Sequence, residues 1–138
     1  MASKVRGERE IELNGVKYKL SLNIGVITEF KDLTGKDFMQ CATRAVNAWS
    51  ESSVIDRKLA KAECLTSAVE LDDAAYLIWL AAKEANSQVE FAEIQEGLLD
   101  EWDITREDRL YPAIFADLCL FAVTGDNYKK KAMDLKAG

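Results

Sequence analysis

At 138 residues, with 49% hydrophobic and 30% charged residues and a single proline, Pro112, the chain has the length of one domain and the composition of a folded, helix-rich protein rather than a disordered one. A net charge of −6 sets the average surface against phosphate backbones and anionic lipid heads, so neither nucleic acid nor membrane is expected as a partner. The absence of histidine removes the commonest general base, the Ser-His and Cys-His nucleophile pairs and most zinc ligand sets.

Residues 1–8 carry no apolar run of the kind a secretory leader needs, and are expected to be flexible. Two alternating segments then flank Asn14-Gly15, the strongest short signal for a type I′ turn. Pairing Leu13 with Val16 and Ile11 with Tyr18 puts Ile11, Leu13, Val16, Tyr18 and Leu20 on one face of the hairpin, and Glu10, Glu12, Lys17 and Lys19 on the other. A lone hairpin is marginal in water, so the apolar face must lie on helices or meet another chain.

Asn23 predicts the N-cap of a helix from Ile24 to Leu33, with Gly35 beyond its end, and Asp37 caps a second from Phe38 to Trp49. Ser50 to Ser53 reads as a loop, and Ile55 to Val69 as the third helix. Asp72 or Asp73 should cap a strongly apolar, central helix from Ala74 to Ala85. Its apolar stretch is about half of what a membrane span needs. Ser87 with Glu90 has capping-box spacing for a helix carrying Phe91, Ile94, Leu98 and Leu99 to Asp100, and Thr105 with Asp108 has it for the last helix, Arg106 to Thr124. Pro112 is tolerable only in a first turn, which moves that start toward Tyr111. Gly125 closes the helix, and residues 126–138, with Lys129-Lys130-Lys131, are expected to form a flexible tail. The predicted fold is mainly α: a single globular domain over residues 9–125, with five to six helices and an N-terminal β-hairpin.

Chemistry-bearing patterns are sparse. The seven glycines are scattered singly and form neither a P-loop nor a dinucleotide fingerprint. Glu93, Glu96, Asp100 and Glu101 share a helical surface but lack the spacing of a metal loop, so they read as a solvated acidic face. Cys41, Cys64 and Cys119, far apart among apolar neighbours, read as buried thiols of a reducing cytoplasm. No catalytic residue, metal ligand or cofactor site is therefore expected, and protein binding is the function that remains. Tyr18 and Leu20 on the hairpin, Phe38 and Trp49 at a helix margin, and Trp102 at a helix junction are the candidate contact residues.

The opening Gly7-Glu8, the hairpin Ile11-Glu12-Leu13-Asn14-Gly15-Val16-Lys17-Tyr18-Lys19-Leu20, the helix Ile24-Gly25-Val26-Ile27-Thr28-Glu29-Phe30 and the turn Leu33-Thr34-Gly35-Lys36-Asp37-Phe38 resemble the tail assembly chaperones of long-tailed, non-contractile (lambda-like) bacteriophages. The order of later parts, a central apolar helix, then Val89-Glu90-Phe91-Ala92-Glu93-Ile94-Gln95-Glu96, then a final helix, extends the resemblance over residues 7–125. It implies a non-enzymatic protein of the infected host cytoplasm, absent from the mature virion, that coats and solubilises the tape-measure protein while tail-tube subunits polymerise around it. It further implies self-association, and a longer form made by ribosomal frameshifting that recruits the tail-tube protein; Lys129-Lys130-Lys131 is compatible with an A-rich slippery stretch. Two other readings stand beside it. A virion head-tail joining component would remain in purified particles, and a small regulator or inhibitor would bind one host protein.

Overall fold

Asn14 and Gly15 both take left-handed backbone conformations, with φ of 54° and 80°, as a type I′ turn demands of its two central residues. The computed structural model, which describes residues 8–124, shows the hairpin in the predicted register, with β1 (Glu8–Leu13) antiparallel to β2 (Val16–Ser21), Leu13 opposite Val16 and Ile11 opposite Tyr18. Leu13, Tyr18 and Leu20 are buried and Ile11 is half-buried, while Val16, beside the turn, is half exposed. The hairpin is the whole of the sheet among the described residues.

Among the described residues six α-helices follow: α1 (Ile24–Thr34), α2 (Phe38–Ser52), α3 (Lys58–Thr66), α4 (Leu71–Lys83), α5 (Phe91–Asp100) and α6 (Tyr111–Thr124), with a 3₁₀ turn, Glu107–Arg109, before the last. The predicted caps of the first two hold. The Asn23 side chain accepts from the Val26 N–H at 2.9 Å, Asp37 accepts from Met39, and Gly35 takes φ 72° and donates to the Lys31 carbonyl. Each cap satisfies a backbone group that the helix itself leaves unpaired.

α4 is the centre. Ala74, Ala75, Leu77, Ile78, Leu80, Ala81 and Ala82 are all buried, and β2, α1, α5 and α6 all pack on it. The alanines keep its surface low, so neighbours approach from several sides. Phe30 of α1 forms an aromatic cluster with Phe38 of α2, edge-on at 6.0 Å, and with Phe115 of α6 at 6.3 Å. Each such ring contributes about 1.5–3 kcal/mol by leaving water. Tyr76 stacks on Phe91 at 4.3 Å, and the half-buried Trp79 donates its indole N–H to the Val89 carbonyl at 2.9 Å, tying α4 to the start of α5. A smaller cluster of Ala48, Ala62, Leu65 and Leu110 joins α2, α3 and the entry to α6.

The hairpin lies on α4 and α5, and one glycine permits it. A Cβ added to Gly97 would stand 2.9 Å from the Leu13 Cβ, closer than two such carbons come. At the other end of β1, Arg9 pairs with Asp117 of α6 at 3.3 Å and sits 5.0 Å over the Phe121 ring.

Several boundaries differ from the sequence expectation. α2 continues through the predicted loop to Ser52, because the Ser52 and Ser53 hydroxyls donate back to the carbonyls of Trp49 and Ser50 and Ser52 is wholly buried. α3 is shorter than predicted, since Val54 to Arg57 form the turn that folds it back onto α2. Glu70, not Asp72 or Asp73, is the cap position of α4; both aspartates fall in the first turn, and Lys36 reaches Asp73 at 2.7 Å. Asn86 organises a turn that delays α5, so the reciprocal bond is made three residues later than predicted, by the Glu93 carboxylate to the Glu90 N–H at 3.0 Å. The last helix starts at Tyr111, where Pro112 had moved it, and not at Arg106; Leu110 is extended and Asp103, rather than Asp108, accepts from Thr105. Gly125, the Lys129-Lys130-Lys131 run and most of the predicted N-terminal segment lie outside the described residues, whereas Glu8 already belongs to β1.

Candidate functional site

Tyr18, Leu20 and Phe38, expected as contact residues, are 7%, 1% and 3% exposed. Their apolar surface faces α4, α5 and the aromatic cluster, so a partner cannot reach it while the fold is intact. Tyr18 keeps one polar tie there, donating its hydroxyl to Glu93 Oε2 at 2.6 Å. Burial first, and then this bond, push its pKa up to about 12, while the same bond holds the Glu93 carboxyl below its ordinary range.

Trp49 and Trp102 are half-buried. Trp102 lies tilted over Tyr111 at 5.6 Å and packs beside the smaller core cluster. Trp49, on the last turn of α2, opens onto a cleft of about 310 Å³ beside β1. Ile11 and Leu13 of β1, Trp49, and Ala113 and Ile114 of α6 supply its apolar walls. Arg9, Glu12, Asp108, Arg109 and Asp117 supply the charge.

The strand edge turns this cleft into more than a gap between side chains. In a hairpin closed by a two-residue turn, Leu13 and Val16 exchange the closing hydrogen bonds, and the pairs then alternate, so the backbone groups of Glu10 and Glu12 point away from β2. Among the described residues no backbone group outside the hairpin bonds to them. The cleft borders β1 and no residue of β2, which places it on this open edge. A second cleft, of about 320 Å³, runs beside β2 and is walled by Ala82, Ala85 and Val89.

The electrostatics of the first cleft resolve into pairs and remainders. Arg9 is matched by Asp117, and Arg109 by Glu101 at 3.2 Å, with Glu101 also accepting from the Asn14 N–H at 2.9 Å. Glu12 and Asp108 stand exposed at the rim with no ion pair among the described residues. The Arg109 Nε is buried and has no acceptor. Sequence reasoning found Trp49 but missed Ile11, Ile114, Asp108 and Arg109 as its companions. They come from segments far apart in the chain, and no local pattern joins them.

Elsewhere the surface is plain. Ile24, Val54 and Leu59 are 81%, 83% and 61% exposed. Among the described residues no three cysteine or carboxylate side chains gather as a metal site, and no helix is long and apolar enough to cross a membrane. Of the acidic face considered above, Glu93 is held by Tyr18 and Glu101 by Arg109. Cys41 and Cys119 are buried, and burial raises the pKa of both thiols; Cys64 is half-buried, its Sγ 3.7 Å from the Ala48 carbonyl. Compared with known protein families, with characterised proteins and with solved structures, the chain matches none.

Proposed function

We propose that this protein is a non-catalytic binding protein, a tail assembly chaperone that holds a long helical client, the tape-measure protein of a phage tail, in soluble form in the host cytoplasm and promotes tube polymerisation around it. The observation that supports binding most directly is the cleft beside β1, where apolar walls at Ile11, Trp49 and Ile114 meet an open strand edge in a chain of net charge −6. Many copies of such a chain, associating with one another, would cover apolar client surface while their shared negative charge keeps the assembly dispersed. The client's identity rests on the resemblance of the hairpin, the first helix and the Thr34-Gly35 turn to that chaperone family.

Co-expression with the large helix-rich tape-measure candidate tests this reading. A soluble complex carrying many copies of this chain per client is the expected result. A client that stays insoluble while this chain purifies alone would overturn it. Recovery of the chain in finished particles would instead favour a joining component.

A further inference from the structure

We infer that residues 126–136, which follow α6, form a short amphipathic helix that folds back onto the cleft between α1, the first turn of α2 and the end of α6, and serve as its internal cover. No part of this depends on which client the protein holds. The cleft, of about 270 Å³, has apolar walls at Ile27 of α1, Met39 of α2, and Ala122 and Val123 of α6. Met39 and Val123 are 50% and 41% exposed, and Ile24, one turn before Ile27, is 81% exposed, so three helices leave apolar surface to water at one place. The chain itself supplies the occupant. Val123 belongs to the wall and α6 ends at Thr124, so the segment that follows starts at the rim. Tyr128 is four residues beyond, and four extended residues span about 14 Å, enough to bring its ring over the opening. Within this lysine-rich segment Tyr128, Ala132 and Leu135 step by four and three, which gathers them on one helical stripe and turns Lys130 and Asp134 away from it. Gly125 is the residue type that ends a helix, and Asp126 and Asn127 are the types that cap the next, as a tight connection between two antiparallel helices requires. A helix this short is marginal in water and needs an apolar surface to lie on. The rim is mixed in charge, with Lys31 beside Asp32 and Asp37, so charge permits the segment without selecting it. The tether selects it, because a segment joined by a few residues is held at roughly millimolar local concentration against any untethered competitor.

The test uses the full chain. NMR of methyl-labelled protein should show nuclear Overhauser contacts from the Tyr128 ring and the Leu135 methyls to the methyls of Met39 and Val123. Amide exchange across residues 128–135 should be slowed by about tenfold or more relative to an open chain. Tyr128→Ser with Leu135→Ser should remove the contacts, return exchange to the open-chain rate and shift the Met39 and Ile27 methyl resonances, while the hairpin resonances stay in place. Met39→Glu approaches the same contact from the cleft, at a half-exposed position, and should free the segment to the same degree; should that variant fail to fold, the paired serine variant decides alone. Mixing labelled with unlabelled chains separates the occupants, and the contacts should persist within one chain. Contacts found only between chains would overturn the internal cover and assign the cleft to a second copy. Absent contacts, open-chain exchange in the parent protein, or cleft methyls indifferent to the paired serine substitutions would overturn it as well.

Discussion

Gly97→Ala sets two effects of opposite sign against each other. Gly97 lies inside α5, where replacing glycine by alanine ordinarily stabilises a helix by about 1 kcal/mol. Here the new Cβ would stand 2.9 Å from the Leu13 Cβ and 3.4 Å from Leu13 Cδ1. A Cβ is fixed to its backbone and cannot rotate away, so α5 or β1 must shift, and forcing extra volume into a packed contact costs roughly 1–3 kcal/mol. The clash should win by about 1 kcal/mol, lowering the melting temperature by roughly 3–5 °C for a domain of this size. Urea and thermal denaturation of both proteins measure the difference. A variant more stable than the parent by about 1 kcal/mol would mean that helix propensity acts alone, and would refute the close approach of hairpin and helix.

Two further perturbations probe polar ties to the core. Tyr18→Phe removes the hydroxyl bond to Glu93 and should cost about 1 kcal/mol near neutral pH. Its pH signature is two-sided. Tyr18 has a raised pKa in the folded state, so its contribution is full below 10 and is lost as pH rises toward about 12; the depressed Glu93 contributes above its ordinary 4.5 and is lost as acid titrates the folded carboxyl. Denaturation curves at neutral, acidic and alkaline pH should therefore converge for the two proteins at both extremes, and a constant difference would assign the effect to packing. Lys36→Met strands the buried Asp73 carboxylate, 8% exposed and now paired at 2.7 Å. Because Lys36 is about one-third exposed, the loss should be nearer 2 kcal/mol than the larger values for fully buried pairs; the bond to Asp73 raises the Lys36 pKa above its ordinary 10.5, so the loss should be full below that pH and shrink as alkali removes the Lys36 proton. A loss that persists undiminished in strong alkali would refute this assignment.

The sequence by itself determined the features whose causes are local. Asn14-Gly15 specified the turn and, through it, every pairing in the hairpin. Asn23, Gly35 and Asp37 marked helix ends because a cap is a bond between residues a few positions apart. The apolar run from Ala74 announced a central helix because it left no polar face. Where several polar residues could serve as caps, local reading chose the wrong one: the Glu90 N–H donates to Glu93 and closes α5 three residues later than Ser87 suggested, and α4 starts at Leu71, with Asp73 inside its first turn and held by Lys36.

Only the tertiary structure decided which apolar residues remain accessible. Tyr18, Leu20, Phe38 and Trp49 all lie on apolar stripes, and a stripe states that a face is buried without stating how fully. Packing on α4 closed over Tyr18 and Leu20, and α1 and α6 closed over Phe38. Trp49 stayed at a margin, where α6 enters after Pro112 and β1 keeps an open edge. The cleft between them belongs to no single segment, because it exists only where a strand, a helix end and a 3₁₀ turn meet without filling the space between.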